Sequence, residues 1–357
     1  MDKDINKIEL NDRDLYVCDP IEKKDKFGSH IEYTLKGKLI ENNIIRRYKE
    51  FDAFRAKLNE IYLGLYIPSL PHKQIIGETN KEVVNMRIEM INRFLFKITN
   101  LNYIKNSEEL NAFLNSNDED VEKVLKLINS LNYNDLFNKY NEIFGEIPKN
   151  WNIELSKINQ KKFYDFLKSN LEKLNTARKI IKLLKNQFTK NNEAYLSTVN
   201  VFTLFEKEIL SNLTEKNEDK YIFNNTKNKN ILNKIIDLQE KSINPYEKLY
   251  YNFTEITLDA ESLIETFEKI VKLNEIYYKY KISQKAEEKN YVESIEKIIY
   301  ISTYQFDITI KDYKKKCLVD YYSEYGKLLD NFKFNNNIIN NFLNEVLENS
   351  NIKELSN

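Results

Sequence analysis

Apolar positions follow two different rhythms, and the change falls near residue 150. Before it, short runs rich in Val, Ile, Tyr and Thr are separated by turn residues. The runs "DLYVCDPIEK", "HIEYTLKGKLI" and "NNIIRRY" predict three strands. "KEFDAFRAKLNEIY" then sets Phe51, Phe54 and Leu58 at helical spacing. Residues 81 to 98 do the same with Val84, Ile88, Ile91 and Leu95. "SEELNAFL" predicts a further helix, with Ser107 as N-cap and Glu109 in its first turn. The expectation is a three-stranded sheet with helices packed on it.

After residue 150 the period is helical throughout. Leu174, Ala177, Ile181, Leu184, Phe188, Asn191, Tyr195, Thr198, Phe202, Phe205 and Ile209 keep an unbroken 3-4 spacing, a heptad seam on a helix over about 153–213. The polar stretch "EKNEDKYIFNNTKNKN" interrupts it. Two more helices are predicted over about 229–287 and 289–349. Sixty helical residues make a rod of about 90 Å, so three of them must lie side by side. Aromatic residues such as Tyr277, Tyr278, Phe306, Tyr313, Tyr321, Tyr322 and Tyr325 widen the apolar faces beyond a two-stranded seam. Faces that wide call for a bundle and for a partner to cover what is left.

Turn residues agree with this division. Gly28, Gly37, Gly64, Gly77, Gly145, Pro20, Pro68, Pro71 and Pro148 all come before residue 150, and only Pro245 and Gly326 come after it. Those two are the expected kink sites in the second and third long helices.

Charge narrows the function classes. Lys plus Arg and Asp plus Glu both number 55, so no global basic field exists to hold nucleic acid. Cys18 and Cys317 lie far apart with no metal-type spacing, which suits a reducing compartment. The opening "MDKDINKIELNDRD" is charged throughout and does not read as a secretory signal. No apolar run approaches the roughly 18 to 20 residues that cross a bilayer. The expectation is a soluble protein that meets any membrane from one side. Catalysis has little support: the histidines are His30 and His72, no glycine-rich phosphate loop is present, and neither cysteine has a triad context.

Local cations are more telling. "NIIRRYKEFDAF" ends a predicted strand in Arg46 and Arg47 and follows them with Tyr48. Side chains alternate along a strand, so the two arginines face opposite ways, and one of them is free to grip a phosphate bidentately. Further on, the proline-stiffened loop "IPSLPHKQIIG" carries Lys73, and "MRIEMINRFL" carries Arg87 on a helix.

The order "DP", "HIEYTLKG", "RRYKEF", a P-x-x-P-x-K loop and R-x-x-x-I-x-x-F-L resembles a PX (phox homology) domain over about residues 6–116. One departure is Ser69, where the family loop has a second proline. The resemblance implies that Arg47 holds the 3-phosphate of phosphatidylinositol 3-phosphate and that Tyr48 packs under the inositol. It also implies that Lys73 contacts the 1-phosphate and Arg87 the ring hydroxyls. Ile75 and Ile76, next on the loop, are candidates to dip into the membrane interface or to pack on the domain.

A PX domain followed by three long helices is similar to the sorting nexins that add a BAR domain, and "QFDITIKDYKKKCLVDYYSEY" resembles that family's last BAR helix. The expected fold is thus an α+β PX domain, with a three-stranded antiparallel sheet and helices, followed by an all-α BAR domain of three long kinked helices. The expected boundaries are 1–117 for the PX domain, 118–152 for an amphipathic linker and 153–350 for the BAR domain. In the linker, Val121, Val124, Leu125 and Ile128 share one face, and Leu136, Phe137, Tyr140, Ile143 and Phe144 another. Its mixed polar faces favour packing on both domains over insertion into a leaflet, with Trp151 as an anchor.

The resemblance implies a peripheral protein on the cytosolic face of endosomes. It would act as a homodimer, or as a heterodimer with another sorting nexin, that senses or induces curvature in transport tubules. A retromer-like cargo complex is a further implied partner; no cofactor or metal is. Candidate contacts with the anionic membrane are Arg178, Lys179, Lys182 and Lys185 on the first long helix. Lys279, Lys281, Lys285 and Lys289 form a second group near the turn between the other two, read here as a rod tip. The competing reading is an endosome-docked coiled-coil scaffold or tether that bends nothing.

Overall fold

The computed structural model describes residues 12–25, 28–71, 81–116, 120–210 and 244–349. Three strands, β1 (Tyr16–Asp25), β2 (Gly28–Lys36) and β3 (Ile44–Arg47), form one antiparallel sheet in the order β1-β2-β3. Strand β1 is an edge and carries a register shift between Cys18 and Ile21, at Pro20. An edge position at a bulge is where a strand tolerates a residue with no N–H.

Six shorter helices follow: α1 (Tyr48–Ile61), α2 (Lys81–Asn100), α3 (Asn102–Lys105), α4 (Glu108–Asn115), α5 (Val121–Leu127) and α6 (Tyr133–Phe144). The expected apolar spacings are the buried ones. Phe51, Phe54 and Leu58 of α1 meet Ile91 and Leu95 of α2 and Phe113 of α4 in one core with Tyr33 and Leu35 of β2. Phe54 and Phe113 stack with ring centroids 4.5 Å apart. Ser107 caps α4 as expected, accepting a hydrogen bond from the Leu110 N–H. Glu109 does more than suit the helix dipole: it is buried and accepts from the Tyr62 hydroxyl at 3.0 Å.

The linker helices α5 and α6 bury Val121, Leu125, Leu136 and Tyr140 in that same core, so their apolar faces are turned into the protein. Trp151 sits between Tyr300 and Tyr304, with centroids 5.1 and 5.3 Å away, and its indole N–H donates to Asp307 at 2.9 Å. The anchoring role read from the sequence matches this packing.

The long helices are α7 (Ile153–Phe205), which continues as a π-helical turn over Glu206–Leu210, α8 (Pro245–Ile282) and α10 (Val292–Asn349). A short helix, α9 (Ala286–Asn290), lies in the turn between α8 and α10. One expected kink site needs correcting. Pro245 begins α8, where a missing N–H costs nothing, and the Asn244 side chain accepts from the Tyr246 N–H just ahead of it. Gly326 lies inside α10, which runs through it without interruption.

The chain divides into two compact units, residues 1–175 with 254–317, and residues 176–253 with 318–357. The division cuts across all three long helices instead of following residues 117 and 153. Within the first unit the reason is visible. A buried charge network joins α2 to the helix stretches that begin at Thr254: Arg93 and Lys97 meet Glu255, Lys97 also meets Asp259 at 2.6 Å, and Lys316 completes the group at Glu255. Tyr66 donates to Asp259 at 2.8 Å, and Arg55 pairs with Glu265 at 2.6 Å. Burial alone would push the Glu255 carboxyl up, yet Lys97, Lys316 and Arg93 hold it well below the usual carboxylate range. Gly64 permits the close approach: its φ is +76°, and a Cβ there would stand 2.8 Å from the Ser302 Oγ.

Candidate functional site

The adjacent arginines separate into two roles at the end of β3. Arg46 pairs with Tyr33 on β2 and points into the domain, where it is only 4% exposed. Its Nη2 donates to the Phe113 carbonyl at 2.7 Å and to the Ser116 carbonyl at 2.8 Å, and its guanidinium lies 5.3 Å from the Phe113 ring centroid. Those carbonyls end α4, so Arg46 is a cation placed where the helix dipole is negative. Its function is structural.

Arg47 pairs with Glu32 on the opposite face. Its backbone is extended, with φ −95° and ψ 157°, and it is the N-cap of α1; its N–H donates to the Glu50 carboxylate at 2.7 Å. The guanidinium is 39% exposed, and its Nη2 lies 3.3 Å from the Glu32 Oε1. This arginine is the one available to a ligand.

Strand alternation stops at Tyr48, the first residue of α1. Its ring lies under the Arg87 guanidinium, 5.1 Å from centroid to Cζ, and its hydroxyl donates to the Pro71 carbonyl. Burial pushes that hydroxyl's pKa up, with Asp52 adding to the effect and Arg87 opposing it. Tyr48 therefore does two jobs. It fixes the start of the proline loop, and it orients Arg87 by a cation–π contact. Tyr48 is also part of the buried core, only 9% exposed.

Helix α2 carries Arg87 and is docked by Asn92, whose Oδ1 accepts from the Val17 N–H at 2.7 Å while its Nδ2 donates to the Val17 carbonyl at 3.1 Å. One amide thereby satisfies two backbone groups of the edge strand and fixes the helix on the sheet. Tyr33 adds a feature the sequence reading missed. Its hydroxyl is buried near Arg87, whose charge offsets part of the upward push from burial.

Of the four expected ligands, the structure thus brings Tyr48 and Arg87 together and sets Arg47 directly before Tyr48 at the strand end. Lys73, Ile75 and Ile76 lie outside the described residues. Glu32 and His30 were not expected here; the signal that could have found them is the cross-strand register, which a single chain does not display.

The candidate membrane cations fare unevenly. Lys185 is buried, 4.0 Å from Glu247 and facing the rings of Tyr250 and Tyr251, so it is removed from the expected surface group. Arg178 and Lys182 are half-buried and Lys179 is exposed. Lys279, Lys281, Lys285 and Lys289 are all exposed. The turn that carries them is held in the first unit by Tyr133 of α6, whose ring meets Tyr280 and Tyr291 at 6.2 and 5.8 Å.

Comparison with known proteins bears on this arrangement. The family model for the PX domain matches residues 35–117, the stretch that contains Arg47, Tyr48 and Arg87. The SNX-BAR Mvp1 tetramer, solved by cryo-EM, shares 15% sequence identity but has a TM-score of 0.61, covering 92% of this chain and 100% of that one. The chain thus carries a PX-domain match and shares the fold of an SNX-BAR protein. Among curated proteins, sorting nexin-30 of Homo sapiens is 30% identical over 133 residues, covering 32% of this chain and 30% of that protein. Sorting nexin-41 of Saccharomyces cerevisiae is 32% identical over 112 residues, covering 28% and 17%. The chain thus spans less than a third of the length of these relatives. The matched stretch runs from the end of β2 through β3 and α1 to α4.

Proposed function

We propose that the protein is a peripheral membrane sorting nexin that grips phosphatidylinositol 3-phosphate through Arg47, Tyr48, Lys73 and Arg87. Its BAR helices associate with a second copy or a related nexin and sense or induce curvature on endosomal transport tubules. The observation that carries the headgroup reading is the division of labour at the strand end: Arg46 is consumed by the fold, whereas Arg47 is half-exposed beside a Tyr48–Arg87 stack. A guanidinium offered to solvent next to a second, oriented guanidinium suits a phosphorylated polyol. Exposed lysines add roughly 1 kcal/mol each near an anionic surface, useful only on top of the headgroup grip. Paired PX sites would multiply it.

Vesicle flotation tests the reading. Wild-type protein should float with vesicles containing the 3-phosphate lipid, and Arg47→Ala should abolish it, since removing one partner of a close charge pair costs about 2 to 5 kcal/mol. Flotation unaffected by that change would remove the lipid site. Curvature has its own readout, narrow tubules drawn from the same vesicles. The tether reading gains from the packing of α5 and α6, whose apolar faces are spent inside the protein instead of wedging a leaflet. Recruitment with smooth vesicles would favour it.

A further inference from the structure

Strand register places Glu32 opposite Arg47, and the contact is specific: the same Glu32 oxygen, Oε1, lies 3.3 Å from the Arg47 Nη2 and 3.2 Å from the His30 Nε2. Glu32 is 15% exposed and Arg47 39%, so the acid lies beneath the cation, with the guanidinium toward solvent. A second carboxylate, Glu50, is engaged at the Arg47 backbone N–H. A third, Asp52, acts on the Tyr48 hydroxyl. The phosphate-facing arginine therefore stands among acids that no phosphate ligand needs.

Such an acid has two consequences for an incoming anion. It holds the guanidinium fork in one orientation, which lowers the ordering cost of a bidentate grip. It also leaves a negative charge beside the place the first phosphate would occupy. One phosphate can share Arg47 with Glu32; a second phosphate on the neighbouring ring position meets a carboxylate in partly desolvated surroundings, where like charges repel more than in water.

We propose that Glu32 is a specificity-determining residue, a fixed charge that admits a singly phosphorylated inositol headgroup at Arg47 and rejects bis- and trisphosphorylated ones. His30 positions that carboxylate. The assignment rests on the headgroup reading above and adds to it the reason for selectivity.

The test compares wild-type protein with Glu32→Gln on vesicles carrying the 3-phosphate, the 3,4-bisphosphate or the 3,4,5-trisphosphate of phosphatidylinositol. Wild type should favour the monophosphate. Glu32→Gln should gain about 10-fold on the multiply phosphorylated lipids while the monophosphate changes by less than about 3-fold, so that the preference collapses. Glu32→Ser serves the same comparison should the amide not be accommodated, and thermal midpoints establish that each variant is folded. Wild-type protein that binds none of the three lipids would overturn the headgroup reading itself. Wild-type binding without preference, or a preference that survives Glu32→Gln and Glu32→Ser, would overturn the charge filter and leave the headgroup reading standing.

Discussion

The two compact units differ in how they bury their polar and apolar side chains. The first, residues 1–175 with 254–317, holds both hydrophobic clusters found among the described residues, one built on Phe51, Phe54, Phe94 and Phe113 and the other on Phe163, Leu263, Phe267 and Phe306. It also buries a charge network in which each ion is answered. The second, residues 176–253 with 318–357, leaves large apolar side chains in solvent: Leu183 is 68% exposed, Tyr322 72%, Leu318 60%, and Val201, Phe202 and Leu204 follow them. The first unit has exposed apolar side chains as well, Ile282 at 85% and Leu127 at 79%, alongside its two buried clusters. The other presents a helical stripe with the energetics of a half-formed interface, since full burial of a large apolar side chain contributes about 1.5 to 3 kcal/mol.

The strongest way to break this contrast is to charge the exposed stripe. Leu183→Glu combined with Phe202→Glu should remove up to about 3 to 6 kcal/mol of burial from any self-association. Sedimentation should show monomers where wild type associates, while the fluorescence of Trp151, the single tryptophan, which lies in the first unit, keeps its unfolding midpoint. Association unchanged by the pair would mean that the stripe is not the contact.

Next in size is Glu255→Ala. It strips Arg93, Lys97 and Lys316 of their shared partner in a buried setting, for which a loss of about 3 to 5 kcal/mol is expected. Denaturant unfolding followed at Trp151 would reveal it, and a loss under about 1 kcal/mol would show that the network is not what joins α2 to the long helices.

A smaller effect separates the neighbouring arginines. Arg46→Ala removes several hydrogen bonds from a charged group and should cost roughly 1.5 to 3 kcal/mol of stability. Arg47→Ala should stay within about 0.5 kcal/mol of wild type, as surface changes do, while losing lipid binding. Equal stability losses would undo the assignment of one arginine to the fold and the other to the ligand.

The least change is expected near neutrality. Glu255 in the folded protein lies below its ordinary value of 4.5, so its contribution is full above that value and is lost as pH falls through the depressed one. Lys97 lies above its ordinary 10.5, so its contribution is full below that and is lost as pH climbs past the raised value. Stability of the first unit should thus be flat near pH 7 and fall in acid below about 4.5. Glu255→Gln should flatten that acid limb in a series of unfolding curves.

Periodicity was enough for the elements: the three strands, the Ser107 cap, the inward faces of Val121, Leu125, Leu136 and Tyr140, and the long helices were all legible, because alternation and 3-4 spacing are properties of a local backbone. Opposite fates for Arg46 and Arg47 followed from the same alternation. Lys185 shows where the method stops. In the linear pattern it is one more cation on a helix, and its burial over Tyr250 and Tyr251 depends on a helix whose residues begin sixty positions later. Glu255, Asp259 and Lys316 likewise read as surface charge until Arg93 and Lys97 arrive beside them.

By itself, then, the order of residues determined the sheet and the helices, since each of these depends on neighbours a few positions away. Tertiary structure decided which charges are buried, that Tyr48 carries Arg87 on its ring, and that Glu32 stands at Arg47. Those are contacts between residues 15 to more than 200 positions apart, and whether a charge is solvated or paired is settled only by what else packs around it.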